Sequence, residues 1–150
     1  MKSIYNPATL KEVISRIDKL TPETKAVWGK MNAAQMLAHC VEPLIIATGK
    51  ANEPRMLIGR ILAPFIKKNY YNDKPWQQNS PTAPAFIMTG LDKDFEKEKA
   101  NLISIMTEFS KGGETKCTKH PNPFWGKLTP EQNGLGQYKH IDHHLQQFGV

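Results

Sequence analysis

The sequence predicts an all-α fold, a bundle of four main helices. Three observations predict it. Apolar residues recur at helical spacings of three and four rather than alternating. Helix-start signals, an Asn or Thr followed by Pro or by Gln three places on, stand just ahead of these runs. No convincing pair of strand-like segments occurs anywhere in the 150 residues.

The first helix is expected over Pro7 to Leu20. Leu10, Val13, Ile14, Ile17 and Leu20 draw one apolar stripe, and Asn6-Pro7 supplies an N-cap and a preorganised first position. The second begins at Asn32, with Gln35 completing a capping-box pattern. Its run AAQMLAHCVEPLIIATG is apolar on nearly every side, so this helix should be central. Gly49 is placed to end it. Pro43 removes the N–H that would bond the His39 carbonyl, so a kink is expected there.

Pro54 to Tyr71 is basic and amphipathic and reads as one or two short helical pieces whose apolar face packs on the body. A connection over residues 71–90 follows, long enough to suggest a functional or covering segment. Leu91 to Ser110 forms the third main helix, striped by Phe95, Leu102, Met106 and Phe109 and stopped at Gly112 and Gly113. Thr129, Pro130 and Gln132 cap the last helix, which runs to Phe148. Gly134 and Gly136 inside it signal close packing or approach by a ligand. The long second connection, with its own short helix, fits a crossover topology better than simple hairpins.

Whole-chain numbers bound the function. Hydrophobic residues are 39% and charged residues 23%, which excludes a disordered tail and a membrane protein. Residues 1–150 make one domain able to bury its own core. Only Cys40 and Cys117 are present, so no disulfide framework exists and the cytoplasm is the expected compartment. The charge-free stretch Pro75 to Leu91 is polar and Pro-rich, so no membrane span is expected. The net charge of +6 permits a polyanionic partner without arguing for one, and no nucleic acid is expected.

The informative residues are histidines. Three of five fall in KHIDHHLQQF. His140 and His144 lie one turn apart on one helical face, the separation that offers two imidazoles to one metal ion. His143 lies beside them as an alternative ligand. His39, a polar ring in an apolar helix, is the best third ligand, since burying it costs free energy without a partner. Chance spacing, and a hydrogen-bonded core histidine, stand as the competing readings. Ile141 replaces the Glu of H-E-x-x-H, which excludes zinc-protease chemistry. No Glu-x-x-His occurs, which excludes a di-iron bundle. Asp142 points away from the histidine face and reads as surface. Glu42, one turn beyond His39, is the weak candidate for a general base, with a solvated helix residue the plainer reading. Gln35 and Gln137 are pocket-lining candidates. Cys117 and His120 lack a second pair for a zinc knuckle, and Cys40 reads as core. Trp28 and Trp76 read as loop anchors, as do Phe124 and Trp125.

The segments WGKMNAAQMLAHC, SPTAPAF, HPNPFWGKLTPEQ and YKHIDHHLQQFGV together resemble the DinB-like superfamily of metal-binding helical bundles, in a branch classed as a domain of unknown function. The resemblance covers essentially the whole chain. It implies up-down-down-up topology, a divalent metal held by three histidines, and frequent homodimers. Carried over residue by residue, the ligands are His39, His140 and His144. Where such proteins often continue the last motif with Arg-Gly-Gln, this chain has Leu145, Gln146 and Gln147. The expected function is that of a metal-dependent hydrolase or thiol transferase on a small or thiol substrate. The alternative is a non-catalytic metal- or ligand-binding bundle. Imidazoles suit several metals, with Zn or Ni the expected ion.

Overall fold

The computed structural model describes residues 1–150. It holds five α-helices and no strand: α1 (Pro7–Ile17), α2 (Ala33–Ala47), α3 (Leu57–Ile66), α4 (Phe95–Lys116) and α5 (Pro130–Gln147). Short 3-10 turns cover Lys67–Tyr70 and Pro84–Phe86.

Local chemistry sets the helix starts. Asn6 Oδ1 accepts from the Ala8 and Thr9 amides at 2.9 and 3.4 Å. Asn32 and Gln35 exchange a reciprocal capping box at 2.8 and 3.0 Å, and Thr129 and Gln132 another at 3.1 Å each. α2 ends in a Schellman turn. Gly49 takes φ +76°, its amide bonds the Ile46 carbonyl, and the Lys50 amide bonds that of Ile45.

α2 packs chiefly along α4 and also against α5, while α1 packs on both α4 and α5. The core they share includes Val13, Ile17, Leu37, Leu44, Leu102, Met106, Ile141 and Leu145, all essentially inaccessible. Burying each such side chain contributes about 1.5–3 kcal/mol before conformational entropy is charged against it. α2 is the most enclosed helix, as its all-round apolar sequence requires.

Three expectations change. α1 stops at Ile17, and Leu20 reaches the core from the turn beyond it. α4 starts at Phe95 on an Asp94 cap and runs past Gly112. Only Gly113 leaves helical geometry, at φ +59°.

The largest change is at α3. Its apolar face does not pack on the body: Leu57, Ile61 and Phe65 are 76%, 64% and 85% exposed. The inward face is formed by Gly59 and Ala63. Phe124 backbone atoms lie so close to Gly59 that a Cβ there would overlap them. The helix seats on the 122–126 turn through Gly59, with Ala63 buried one turn on, and its large apolar side chains face outward.

Candidate metal centre

His39 on α2 and His140 and His144 on α5 come together in the interior. They are 4%, 7% and 9% exposed. One ring nitrogen from each lies within 4.8 Å of the other two, so the three are close enough to hold a metal ion. The rings stand edge to face or tilted, with centroids 4.7 to 5.0 Å apart. Two of the histidines share a face because they are one turn apart on α5. The third arrives because α2 packs on that helix.

Hydrogen bonds set two of the three rings. His39 Nδ1 is 2.8 Å from the Phe86 carbonyl oxygen, which can only accept, so Nδ1 carries the proton and Nε2 keeps its lone pair. His144 Nδ1 is 2.8 Å from Gln147 Oε1. The Gln147 amide is itself oriented, because its Nε2 donates to the Trp28 carbonyl at 2.7 Å. The oxygen therefore faces His144, whose Nε2 is likewise a lone pair. His39 Nε2 and His140 Nε2 are 3.0 Å apart. His140 Nδ1 is buried without a protein partner.

Burial favours the neutral rings. It lowers the His39 pKa, opposed by the Phe86 carbonyl. Burial, then the charges of its neighbouring histidines, holds His140 well below its ordinary value. Burial, then His39, pushes His144 down to about 3, opposed by its Gln147 bond. Neutral imidazoles are the form that ligates a metal. The donor chemistry and the fixed tautomers of His39 and His144 fit a divalent ion.

The remaining candidates are placed differently. His143 is not part of the trio. It is half-buried beside it, its ring 5.2 Å from His144, 5.8 Å from Trp76 and 5.9 Å from Trp28. Gln35 has both ends of its amide engaged, in the cap and with the Leu91 carbonyl at 2.9 Å. It fastens the end of the connection leading to α4 to α2. Gln137 is wholly buried, with Nε2 donating to the Pro43 carbonyl at 3.1 Å and Oε1 unpartnered. Glu42 is half-buried, and burial raises its pKa. The charges acting on it are those of Lys93, Glu53 and Glu98. Asp142 is an ion-pair partner of Arg16 at 2.6 Å. Cys40 is in the core, and Cys117 accepts a bond from Asn133.

A family model described as "Protein of unknown function (DUF1569)" matches residues 5–149. The chain belongs to that family. No curated protein and no solved structure matches it.

In this DUF1569 chain the connection between α3 and α4 supplies two contacts to the histidines that reading Trp76 as a loop anchor did not foresee. The Phe86 carbonyl orients His39, and its ring lies edge-on to the same histidine at 6.4 Å. Trp76 tilts over His140 at 5.7 Å. No periodic pattern marks either position. Gln147 had a readable signal, since it stands three places after His144 on the same helix.

Proposed function

We propose that this protein holds one divalent metal ion with His39, His140 and His144 and acts with it on a small substrate, by hydrolysis or by transfer to a thiol. The observation that carries the reading is the pair of Nδ1 hydrogen bonds, from His39 to Phe86 and from His144 to Gln147. They leave two Nε2 lone pairs facing a third buried imidazole, which is how proteins prepare histidines for a metal. Three neutral ligands leave positions open on a tetrahedral or octahedral ion. When bound, such an ion supplies Lewis acidity that lowers the pKa of water or a thiol. Zn or Ni is the proposed ion. Phe86 and Gln147 hold the rings, and Trp76 restricts access from the crossover side.

The proposal includes a DinB-like bundle of up-down-down-up topology. It also includes a homodimer, supported by the exposed apolar face of α3 and tested by light scattering on the eluting protein.

Metal analysis of protein purified without a histidine tag tests the central claim. About one equivalent of metal per chain is expected in the parent protein, with loss in His39→Ala, His140→Ala and His144→Ala. Equally negligible metal in all four would refute it.

A second reading, a non-catalytic metal- or ligand-binding protein, is favoured by one observation. The charges acting on His140 and His144 are those of other histidines, His39 is shifted by burial and the Phe86 carbonyl alone, and no carboxylate serves the three as a base. Metal uptake without turnover in a screen of hydrolytic and thiol-transfer substrates would select it.

A further inference from the structure

A polar cleft of about 740 Å³ opens beside the histidine trio, between the first residues of the chain, the 72–76 segment and α5. Trp76 and His143 line it and back directly onto the trio, Trp76 against His140 at 5.7 Å and His143 against His144 at 5.2 Å.

The charges around this cleft are unevenly paired. Asp142 is taken by Arg16 at 2.6 Å, Lys2 by Glu12 at 2.5 Å, and Asp73 by the Met1 ammonium at 3.3 Å. Lys74 and Lys139 have no carboxylate within 4.0 Å. Asp73 attracts Lys139 only from beyond that distance.

Lys139 is the more informative of the two, being only 7% exposed. Its ammonium donates to the Asn69 carbonyl at 2.6 Å and Asn72 Oδ1 at 2.7 Å, and lies 5.7 Å from the Trp76 ring centre. All of these partners are neutral. An ammonium has three N–H donors, so one remains. A nearly buried cation held only by neutral groups, facing a cleft, lacks the anion that would offset its desolvation.

We propose that this cleft binds a small molecule bearing a carboxylate, with Lys139 and Lys74 as its anion-binding groups, and that it is the substrate subsite of the histidine trio. Asp73 and Asp142 in the same wall disfavour a dense dianion such as phosphate and leave a single carboxylate as the better fit. The indole of Trp76 offers an apolar surface for the rest of the molecule. The subsite assignment rests on the metal reading above, and the anion-binding assignment does not.

A nuclear magnetic resonance titration of the full ¹⁵N-labelled chain tests both assignments, using metal-free and zinc-loaded protein. The probes are butyrate, its neutral analogue butyramide, and inorganic phosphate. Saturable butyrate binding is expected, with shifts centred on the Trp76 indole and Lys139, and with butyramide and phosphate at least about tenfold weaker. Lys139→Gln should weaken butyrate by about tenfold and Lys74→Gln by about threefold. If Lys139→Gln loses the dispersion of a folded spectrum, the exposed Lys74→Gln variant and the butyramide comparison decide. Equal affinity for butyrate and butyramide, tighter binding of phosphate, or shifts away from Trp76 would overturn the carboxylate site. Zinc should tighten butyrate binding if the cleft serves the trio, and unchanged affinity in zinc-loaded protein overturns that half alone. Butyrate binding in a protein that takes up no zinc leaves the anion site standing and removes the metal reading. Zinc uptake without butyrate binding does the reverse.

Discussion

His144 donates its Nδ1–H to Gln147 Oε1 across 2.8 Å, and the Trp28 carbonyl fixes which end of the Gln147 amide it meets. One side chain on the last turn of α5 thus decides which nitrogen of His144 faces His39 and His140.

Gln147→Leu should therefore weaken zinc binding by about 10- to 100-fold, the usual cost of losing an orienting acceptor. Gln147→Glu should keep most of the affinity, because a carboxylate oxygen can take the same Nδ1 proton. Competition with a chromophoric chelator reads both values. Equal affinity in the leucine variant and the parent would show that the bond does not orient a ligand.

Acid should destabilise the metal-free protein. Burial lowers the pKa of His39, His140 and His144, so the folded state keeps them neutral at pH values where the unfolded chain, with ordinary values near ~6.5, protonates them. The unfolded state then binds more protons, and stability falls as pH drops through about 6.5 toward the folded values. Above that pH the contribution is fully present. Each histidine held neutral contributes a slope of up to about 1.4 kcal/mol per pH unit. Urea unfolding with chelator between pH 7.5 and 5 measures it. His144→Gln should remove about one proton from the slope, and a slope equal to the parent's would contradict this origin.

Gly136→Ala sets two effects against each other. Alanine improves helix propensity by roughly 1 kcal/mol. The Tyr70 ring, however, lies against Gly136 and occupies the space of the new methyl group. Overpacking of that kind costs about 1–3 kcal/mol. Net destabilisation is expected, together with a changed Trp76 emission, since Tyr70 also stacks on Trp76 at 6.0 Å. A higher melting temperature would mean that Tyr70 moves aside freely.

Phe65→Ser should leave the stability of the monomeric chain within about 0.5 kcal/mol despite removing a large aromatic ring, because exposed positions contribute little to folding. A loss of several kcal/mol in denaturant unfolding that does not change with protein concentration would place Phe65 in a packed interface within one chain, and a loss that grows with concentration would place it in the dimer contact.

The amino-acid sequence determined the parts that depend on near neighbours along the chain. Asn6, Asn32 and Thr129 announced their helices because a cap bonds amides two or three places away. The enclosure of α2 was legible in its all-round apolar run, and the convergence of His140 with His144 in their spacing. His39 was legible as an anomaly, a polar ring where none is favourable. Tertiary structure alone decided what spans distant segments. Phe86 and Trp76 reach the histidines from the aperiodic connection between α3 and α4, whose path no local pattern encodes. The orientation of Gln147 depends on Trp28, far away in sequence. The amphipathic pattern of α3 located an apolar face but not its direction. The backbone near Phe124 leaves no room for a Cβ at Gly59, and with Gly59 and the buried Ala63 on the inward side the larger side chains face outward. Helical periodicity reports which residues share a face, and only packing determines what that face meets.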